Sequence, residues 1–269
     1  MMLCDFHVHT HFCDGKDSPA DIASVAFEQG VSVLGFSGHA YVPFDVGSMT
    51  PEGTETYRET ICRLKEAYRG RMEILLGTEK DFYGETSEAG YDYIIGSVHY
   101  VRAGNEYIGV DYSPEVTVNT IQQYFDGDPY AYCQNYYQAL SCLFTRVNAD
   151  IIGHFDIISK FQERHPLFRE DDPRYSSLWK EVAYALIPYG KPFEINTGAI
   201  SRGWRTTPYP TREILSFLHE NGGHIVLCSD SHAKETLLYR FDLARELVKS
   251  VGFTSQRIPT ANGLLDIPL

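Results

Sequence analysis

The sequence predicts a closed α/β barrel in which short hydrophobic strands alternate with helices along the whole chain. Three observations favour this fold class. The 269 residues suit a barrel, which typically needs about 250 residues in one domain. Seven strand-like runs alternate with helical segments, and no linker rich in Pro, Gly or Ser divides the chain. We therefore expect residues 1–269 to form a single domain.

The candidate strands are hydrophobic runs with many β-branched and aromatic residues. They lie near residues 2–8, 32–37, 72–77, 92–98, 150–153, 192–196 and 224–228. Segments with helical periodicity separate them, the first beginning at Ser18-Pro19 and the others covering 51–69, 130–147, 174–187, 210–221 and 235–249. Residues 100–128 depart from this alternation. There, Tyr100 to Ile108 around Gly104-Asn105 predicts a hairpin, which we place at the rim of the barrel.

Composition narrows the classes of function. A net charge of −13 argues against general binding to nucleic-acid backbones, which needs a cationic surface. The chain shows no run of eighteen apolar residues and no signal-peptide pattern, so we expect a cytoplasmic enzyme with no membrane partner.

The cysteines form no C-x-x-C pair, and we expect reduced thiols, with Cys4 and Cys228 in the core. Nothing in the sequence predicts an oligomeric state.

Potential metal ligands recur where the hydrophobic runs end. Residues i and i+2 of a strand point to the same face, so His7 and His9 would direct both imidazoles to one place. Asp230 and His232 repeat this spacing after the last run. Four further ligands lie at or just past the ends of other runs: His39, Glu79, His99 and His154. Because barrel enzymes build their sites at the carboxyl ends of the strands, the pattern predicts a metal cluster there. Histidines outside the pattern are expected to be structural or on the surface: His11, His165, His219 and His224.

The successive motifs resemble those of the PHP (polymerase and histidinol phosphatase) family. They are His7-Val8-His9-Thr10, Gly38-His39, Gly77-Thr78-Glu79, Ser97-Val98-His99, Gly153-His154-Phe155-Asp156 and Ser229-Asp230-Ser231-His232. Residues 155–162 and 193–197 resemble the stand-alone histidinol-phosphatase branch. The resemblance implies a distorted (β/α)7 barrel of the TIM type that holds three divalent metal ions, with zinc as first choice and manganese or iron as alternatives.

The resemblance also implies a set of ligands for each ion. The first ion would take His7, His9, Glu79 and Asp230; the second would take Glu79, His99 and His154, with Glu79 bridging the two ions. The third would take His39, His232 and a residue of the loop after the first strand. Asp14 is our choice for that residue, with His11 and Cys13 as alternatives.

The implied activity is hydrolysis of L-histidinol phosphate to L-histidinol and phosphate, a step in histidine biosynthesis. The expected nucleophile is a hydroxide that bridges the two ions sharing Glu79. Asp230 would orient it or shuttle a proton, and the third ion or an acid near His232 would ease departure of the alcohol. The main alternative is a PHP phosphoesterase for another small phosphomonoester or a nucleotide. An amidohydrolase-like enzyme and a non-catalytic metal-binding regulator are the alternatives from other classes.

Other residues at the catalytic end are candidates for contact with a small phosphate ester. Arg202 and Lys160 are the candidate phosphate-binding cations, and Arg205 and Arg164 are their rivals. An imidazole ring could lie against rim aromatics, for which the candidates are Tyr41, Phe44, Tyr83 and Tyr100. Acceptors for the cationic parts of the substrate could be Asp45, Asp111, Glu115 and Glu163.

Overall fold

A computed structural model describes residues 2–269, and its centre is a nearly closed barrel of parallel strands. The strands are β1 (Cys4–Asp5), β2 (Val33–Phe36), β3 (Glu73–Asp81), β4 (Tyr93–Ser97), β5 (Tyr100–Ala103), β6 (Glu106–Gly109), β7 (Ile151–Ile152), β8 (Pro192–Asn196), β9 (His224–Cys228), β10 (Ser255–Thr260) and β11 (Gly263–Pro268). Seven of them form one sheet in the order β1-β2-β3-β4-β7-β8-β9. The predicted fold class, a seven-stranded α/β barrel, is confirmed.

The barrel closes through a short contact between its first and last strands. Beyond β1, Val8 forms a parallel bridge with Ser231. The Ser231 carbonyl accepts from the His9 amide at 2.8 Å, and the Ser231 amide donates to the His7 carbonyl at 3.0 Å. Closure therefore occurs at the histidine pair itself and at Val8 between them, which ties this segment to the one that carries Asp230.

Helices surround the barrel and join its strands. They are α1 (Pro19–Glu28), α2 (Pro51–Tyr68), α3 (Pro114–Tyr124), α4 (Pro129–Ser141), α5 (Leu143–Arg146), α6 (Pro173–Leu186), α7 (Gly198–Ser201), α8 (Arg212–Glu220) and α9 (Phe241–Val251). Five begin with proline directly after a Ser, Thr or Asp cap whose side chain accepts a backbone N–H. None of the helices in residues 2–269 combines the length and apolar composition needed to cross a bilayer.

Tyr93 organises the interior of the barrel. Its hydroxyl donates to the carbonyls of Phe6 at 2.6 Å and Phe36 at 3.2 Å, which links three strand regions. A Cβ atom on Gly35 or on Gly77 would lie 2.3 Å from the Tyr93 side chain. Only glycine at both positions therefore leaves room for this ring, and side chains from the other strands pack beside it.

The predicted excursion and its hairpin are present. Strands β5 and β6 pair antiparallel around Gly104-Asn105, in the register Tyr100 to Gly109. Helix α3 follows, and its buried face packs into the main core through Ile121. The excursion thus begins next to His99 and is anchored on the body of the barrel.

Several predicted boundaries were wrong. The first strand is shorter than residues 2–8, because only Cys4 and Asp5 pair with β2. The helix expected over 235–249 begins at Phe241, since Leu238 and Arg240 adopt positive φ angles of 55° and 56° that interrupt a helix. The segment 130–147 is divided into α4 and α5 at Cys142.

A C-terminal hairpin was not predicted. Strands β10 and β11 pair over six residues each, and their turn precedes Gly263 at φ 109°. Ile258 and Ile267 join the hydrophobic cluster inside the barrel. The hairpin therefore completes the core at that side, and the Asn262-Gly263 pair was the local sequence signal for it.

Candidate metal centre

The Glu79 carboxylate lies at the centre of a ring of imidazoles. This residue is inside β3 rather than past its end, and its side chain is buried. The distances from Oε2 are 3.0 Å to His7 Nε2, 3.5 Å to His9 Nε2 and 3.1 Å to His39 Nδ1, and those from Oε1 are 3.2 Å to His99 Nε2 and 2.9 Å to His154 Nε2. Histidines from several strands therefore meet on one carboxylate, as the strand-end pattern predicts.

Three sets of side chains have ligand atoms within 4.8 Å of one another. They are His7, His9 and Asp230; His39, Glu79 and His99; and His9, Asp14, His39 and His232. These sets overlap with the predicted ones but divide the ligands differently. His39 is also in the set that contains Glu79, and His9 is also in the set that contains Asp14. His154 contacts the Glu79 carboxylate without belonging to one of the three sets.

Asp14 is the residue of the first loop that faces this cluster. Its carboxylate lies 3.1 Å from His232 Nε2 and 3.7 Å from His39 Nε2. The His11 imidazole is exposed and lies 3.3 Å from the Asp17 carbonyl. The Cys13 sulfur lies 3.5 Å from His9 Nδ1 and donates to the Thr10 carbonyl at 3.4 Å, but it belongs to none of the three ligand sets. The geometry therefore favours Asp14 among the three alternatives for this position.

Buried polar atoms without partners show that the cluster suits cations. Within residues 2–269, His7 Nε2, His9 Nε2 and Glu79 Oε2 are buried and lie close to one another, but none makes a contact with hydrogen-bond geometry. Leaving such an atom unpaired costs about 1–3 kcal/mol, and all three converge on the same space. A mixed set of imidazole and carboxylate donors suits zinc, manganese or iron. The residues present therefore fit divalent metal ions.

The pKa of each group in the cluster depends on burial and on the charges of its neighbours. Burial opposes ionisation of Glu79, yet the surrounding imidazoles, led by His7 and His99, hold its pKa well below the usual range. Burial, with His232 and His39 nearby, lowers the pKa of His9 to about 3. For Glu79 and His9 these are the protonation states that metal binding requires, whereas the neighbouring acids raise the pKa of His7 and His99, which would release their protons on binding a cation.

A second layer of acids holds the ligand imidazoles, and no role was predicted for these acids from the sequence. Glu194 is fully buried; its Oε1 lies 2.5 Å from His7 Nδ1 and its Oε2 accepts from the His154 amide at 2.6 Å. Asp81 lies 3.2 Å from His99 Nδ1. Such partners fix the orientation of a ligand ring and its tautomer. A glutamate inside the hydrophobic β8 was the available signal, because a buried charge in a strand needs a partner.

Arg202 lies directly beside the cluster and pairs with Asp230. Its Nη2 donates to Asp230 Oδ2 at 2.8 Å and its Nη1 to the Asp230 carbonyl at 3.2 Å. A Cβ atom on Gly198 would lie 2.6 Å from Arg202 Nη2 and 2.7 Å from Asp230 Oδ2, so glycine leaves space for the pair. Asp230 itself has a φ of 50°, a left-handed conformation that is uncommon outside glycine and is often found at functional sites.

A cavity of about 460 Å³ opens above the cluster. Besides the metal-ligand candidates Asp14, His39, Glu79, His99, His154, Asp230 and His232, its lining comprises Lys16, Asp45, Val46, Gly47, Tyr100, Asp111, Tyr112, Ile157, Lys160 and Arg202. Of the proposed substrate contacts, Arg202, Lys160, Tyr100, Asp45 and Asp111 thus face one space. Tyr112 and Val46 were not predicted there.

The remaining candidates lie elsewhere. Arg205 is buried and donates to the Ser159 carbonyl and hydroxyl at 3.0 and 2.8 Å. Arg164 and Glu115 line a separate groove, and Tyr41 lines a third depression. Glu163 accepts from the Thr206 amide at 2.7 Å. Phe44 and Tyr83 both pack on Tyr107. The Tyr107 ring centroid lies 4.5 Å from that of Phe44 and 4.7 Å from that of Tyr83.

Fold and site together define a metallohydrolase of the barrel class. The family model for the PHP domain matches residues 5–198, and the chain belongs to this family. A probable histidinol-phosphatase of Schizosaccharomyces pombe is 28% identical over 95% of this chain and 90% of its own length. A probable histidinol-phosphatase of Deinococcus radiodurans is 29% identical over 93% of this chain and 94% of its own.

A solved structure shares the fold. Histidinol phosphate phosphatase from Lactococcus lactis, crystallised with zinc, L-histidinol and phosphate, superposes with a TM-score of 0.75 at 21% identity. The match covers 98% of each chain. The distorted barrel of the PHP family is therefore the fold of this protein.

Proposed function

We propose that the protein is a metal-dependent phosphatase that hydrolyses L-histidinol phosphate to L-histidinol and phosphate. The observation that carries the reaction class is the convergence of imidazole and carboxylate donors beside Arg202 in one cavity. The substrate follows from the two relatives named probable histidinol-phosphatase, which align with nearly the whole chain. The cavity lining is consistent with such a substrate, since it combines a guanidinium for phosphate with carboxylates and tyrosines for an ammonium group and an imidazole.

We further propose three divalent ions, with zinc as first choice. One would be held by His7, His9 and Asp230, one by Glu79 with His99 and His154, and one by Asp14, His39 and His232. Glu79 would also reach the first ion, because its Oε2 lies 3.0 Å from His7 Nε2. The short distances from His39 and His9 to neighbouring sets mean that the three positions form one continuous cluster.

In the reaction a water oxygen bonds to phosphorus while the bond from phosphorus to the alcohol oxygen breaks. Bound divalent ions would increase the acidity of that water and neutralise oxygens on phosphorus. Arg202 is fixed by Asp230, and since a guanidinium has five N–H donors, further donors are available to the phosphoryl group. The departing alcohol oxygen takes up a proton equivalent to the one that the attacking water loses, so the step balances.

Asp230 orients the attacking water rather than storing its proton. Burial opposes its ionisation, but Arg202 and His7 hold the pKa of this carboxyl well below the usual range. Oδ2 is also held by Asn196 at 3.2 Å. A carboxylate that remains anionic and fixed is a hydrogen-bond acceptor for the water, and its proton affinity is too low for it to act as a strong base.

Substrate preference tests the proposal directly. We expect kcat/KM for L-histidinol phosphate to exceed that for an aryl phosphate or a nucleoside monophosphate by about 100-fold or more, since contacts remote from phosphorus can stabilise the transition state. Phosphate release from the metal-loaded protein measures this preference. A higher kcat/KM for another ester would favour the alternative of a PHP phosphoesterase with a different substrate.

Metal content tests the proposed stoichiometry. We expect close to three divalent ions per wild-type chain and close to two in His232→Ala, because His232 belongs to a single ligand set. Elemental analysis of the purified proteins provides the count. His219→Ala is the matched control, because His219 is on α8, outside the metal-ligand sets, and should leave the count unchanged. Active wild-type enzyme with one ion or none would contradict this stoichiometry.

A further inference from the structure

Lys160 is already paired with a carboxylate of the excursion. Its Nζ donates to Asp111 Oδ2 at 2.9 Å and to the Asp111 carbonyl at 3.0 Å. The Lys160 side chain is only 8% exposed. The lysine thus joins the loop after β7 to the segment between β6 and α3. With its ammonium committed to two oxygens of one residue, Lys160 is better suited to hold Asp111 in place than to bind phosphate.

Asp111 differs from the other acids that line the cavity. Asp14, Glu79 and Asp230 belong to the metal-ligand sets. Asp45 uses Oδ1 to accept the Gly47 amide at 2.8 Å within its own turn. In Asp111, Oδ2 accepts from Lys160, while Oδ1 has no hydrogen-bond partner within residues 2–269. Asp111 lines the cavity and keeps one carboxylate oxygen outside its ion pair with Lys160.

The electrostatic environment keeps this carboxylate charged. Burial opposes ionisation, but Lys160 and His99 hold the pKa of Asp111 at about 2. His99 and His154, both contacts of Glu79, contribute to this effect. Asp111 follows Val110, whose amide donates to the His99 carbonyl at 2.8 Å, so it lies beside His99. An ionised carboxylate has about four lone-pair sites, so Asp111 keeps acceptor capacity beyond its bond to Lys160.

The chemistry of the proposed substrate requires an acceptor close to the metal centre. In L-histidinol phosphate the ammonium nitrogen is separated from the ester oxygen by two carbons, so it lies roughly 4–5 Å from phosphorus by ordinary bond lengths. An acceptor for it must therefore lie in the cavity wall beside the metal ligands. The imidazole of the substrate is farther from phosphorus along the molecule. Tyr100 and Tyr112, which pack edge to face with centroids 6.4 Å apart, line the same cavity.

We infer that Asp111 is the specificity-determining residue that binds the ammonium group of the substrate, and that Lys160 is the positioning residue that holds it. The inference rests on the proposed function. The complementary charges identify the ligand class as a phosphate monoester with an amino group on the carbon adjacent to the ester methylene. The Lys160–Asp111 ion pair also joins the excursion to the loop after β7, so recognition of the amine and the position of the excursion depend on one contact.

A comparison of two substrates tests the inference. One is L-histidinol phosphate, and the other is 3-(imidazol-4-yl)propyl phosphate, the same ester without the amino group. The readout is the ratio of the two kcat/KM values in the zinc-loaded protein. In Asp111→Asn we expect this ratio to fall by about 10- to 100-fold, as for the loss of one charge-assisted hydrogen bond. Lys160→Met should also lower this ratio, because it removes the contact that holds Asp111.

The controls separate recognition from a structural effect. Glu115→Gln removes an exposed acid of the same excursion that lines a different groove, and it should leave the ratio unchanged. If Asp111→Asn lowers both kcat/KM values by the same factor, Asp111 has only a structural role and the inference is overturned. An equal loss for both substrates in Lys160→Met would assign Lys160 to the phosphate and overturn its positioning role.

The wild-type protein distinguishes this inference from the function on which it rests. Efficient and equal turnover of both esters would overturn recognition of the amine, while the phosphatase activity would stand. Turnover of neither ester by metal-loaded protein would contradict the proposed function itself. Thermal unfolding of each variant verifies that the changed ratios come from folded protein.

Discussion

Replacing Glu79 by glutamine is expected to remove two ions and to reduce phosphatase activity by at least a thousandfold. The carboxylate touches five imidazoles and lies in the middle of the cluster. Glutamine keeps its size but loses the negative charge and one acceptor oxygen. The loss of a metal-assisted step costs about 4 kcal/mol or more in transition-state stabilisation, which corresponds to roughly a thousandfold in rate.

A thermal measurement gives a readout that does not depend on activity. An ion that binds only the folded state raises the free energy of unfolding in proportion to the logarithm of its concentration over Kd. We expect zinc to raise the Tm of the wild-type protein above its value in chelator, and to raise that of Glu79→Gln much less. Glu73→Gln is the matched control, because Glu73 is the exposed first residue of the same strand, and it should respond as the wild type does.

The result that would contradict this assignment is specific. If Glu79→Gln retained the full metal content and a normal rise in Tm, the carboxylate would not be a shared ligand. The proposed hydrolysis by ions that meet at Glu79 would then be wrong, whatever the effect on turnover.

The parts of the molecule with a local sequence signal were predictable. A strand has a period of two residues, so His7 and His9 could be assigned to one face, and the same spacing located Asp230 and His232. The alternation of hydrophobic runs with helical segments then brought the remaining strand-end residues to one end of the barrel. These signals depend on residues close together in the chain, and they can therefore be identified from the sequence alone.

The parts that depend on distant contacts were not predictable. Glu194 looks like an isolated charge in a hydrophobic strand until the fold places it against His7, which is 187 positions away in the chain. Lys160 and Asp111 are 49 positions apart, and only their contact reveals that the lysine is already paired. Arg205, a rival candidate for phosphate binding, was excluded by burial against Ser159, which no periodicity encodes.

Replacing Arg202 by alanine is expected to lower kcat and to raise KM. The guanidinium lines the cavity and is held in place by two hydrogen bonds to Asp230. Such a fixed cation stabilises the charge on the phosphoryl oxygens most in the transition state. Its loss should cost about 2–4 kcal/mol, or roughly thirty- to a thousandfold in kcat/KM. Steady-state kinetics with L-histidinol phosphate measure both constants.

Two further variants identify the cause of that loss. Arg202→Lys keeps the charge but lacks the planar fork that binds two oxygens at once, so it should recover only part of the activity. Arg164→Ala removes an exposed arginine of the separate groove and should stay close to wild type. Because Arg202 also holds Asp230, the metal content of each variant must be measured alongside. Normal metal content with near-wild-type kinetics in Arg202→Ala would exclude the guanidinium from phosphate binding, whereas an equal loss of ions and activity would assign it to the metal centre alone.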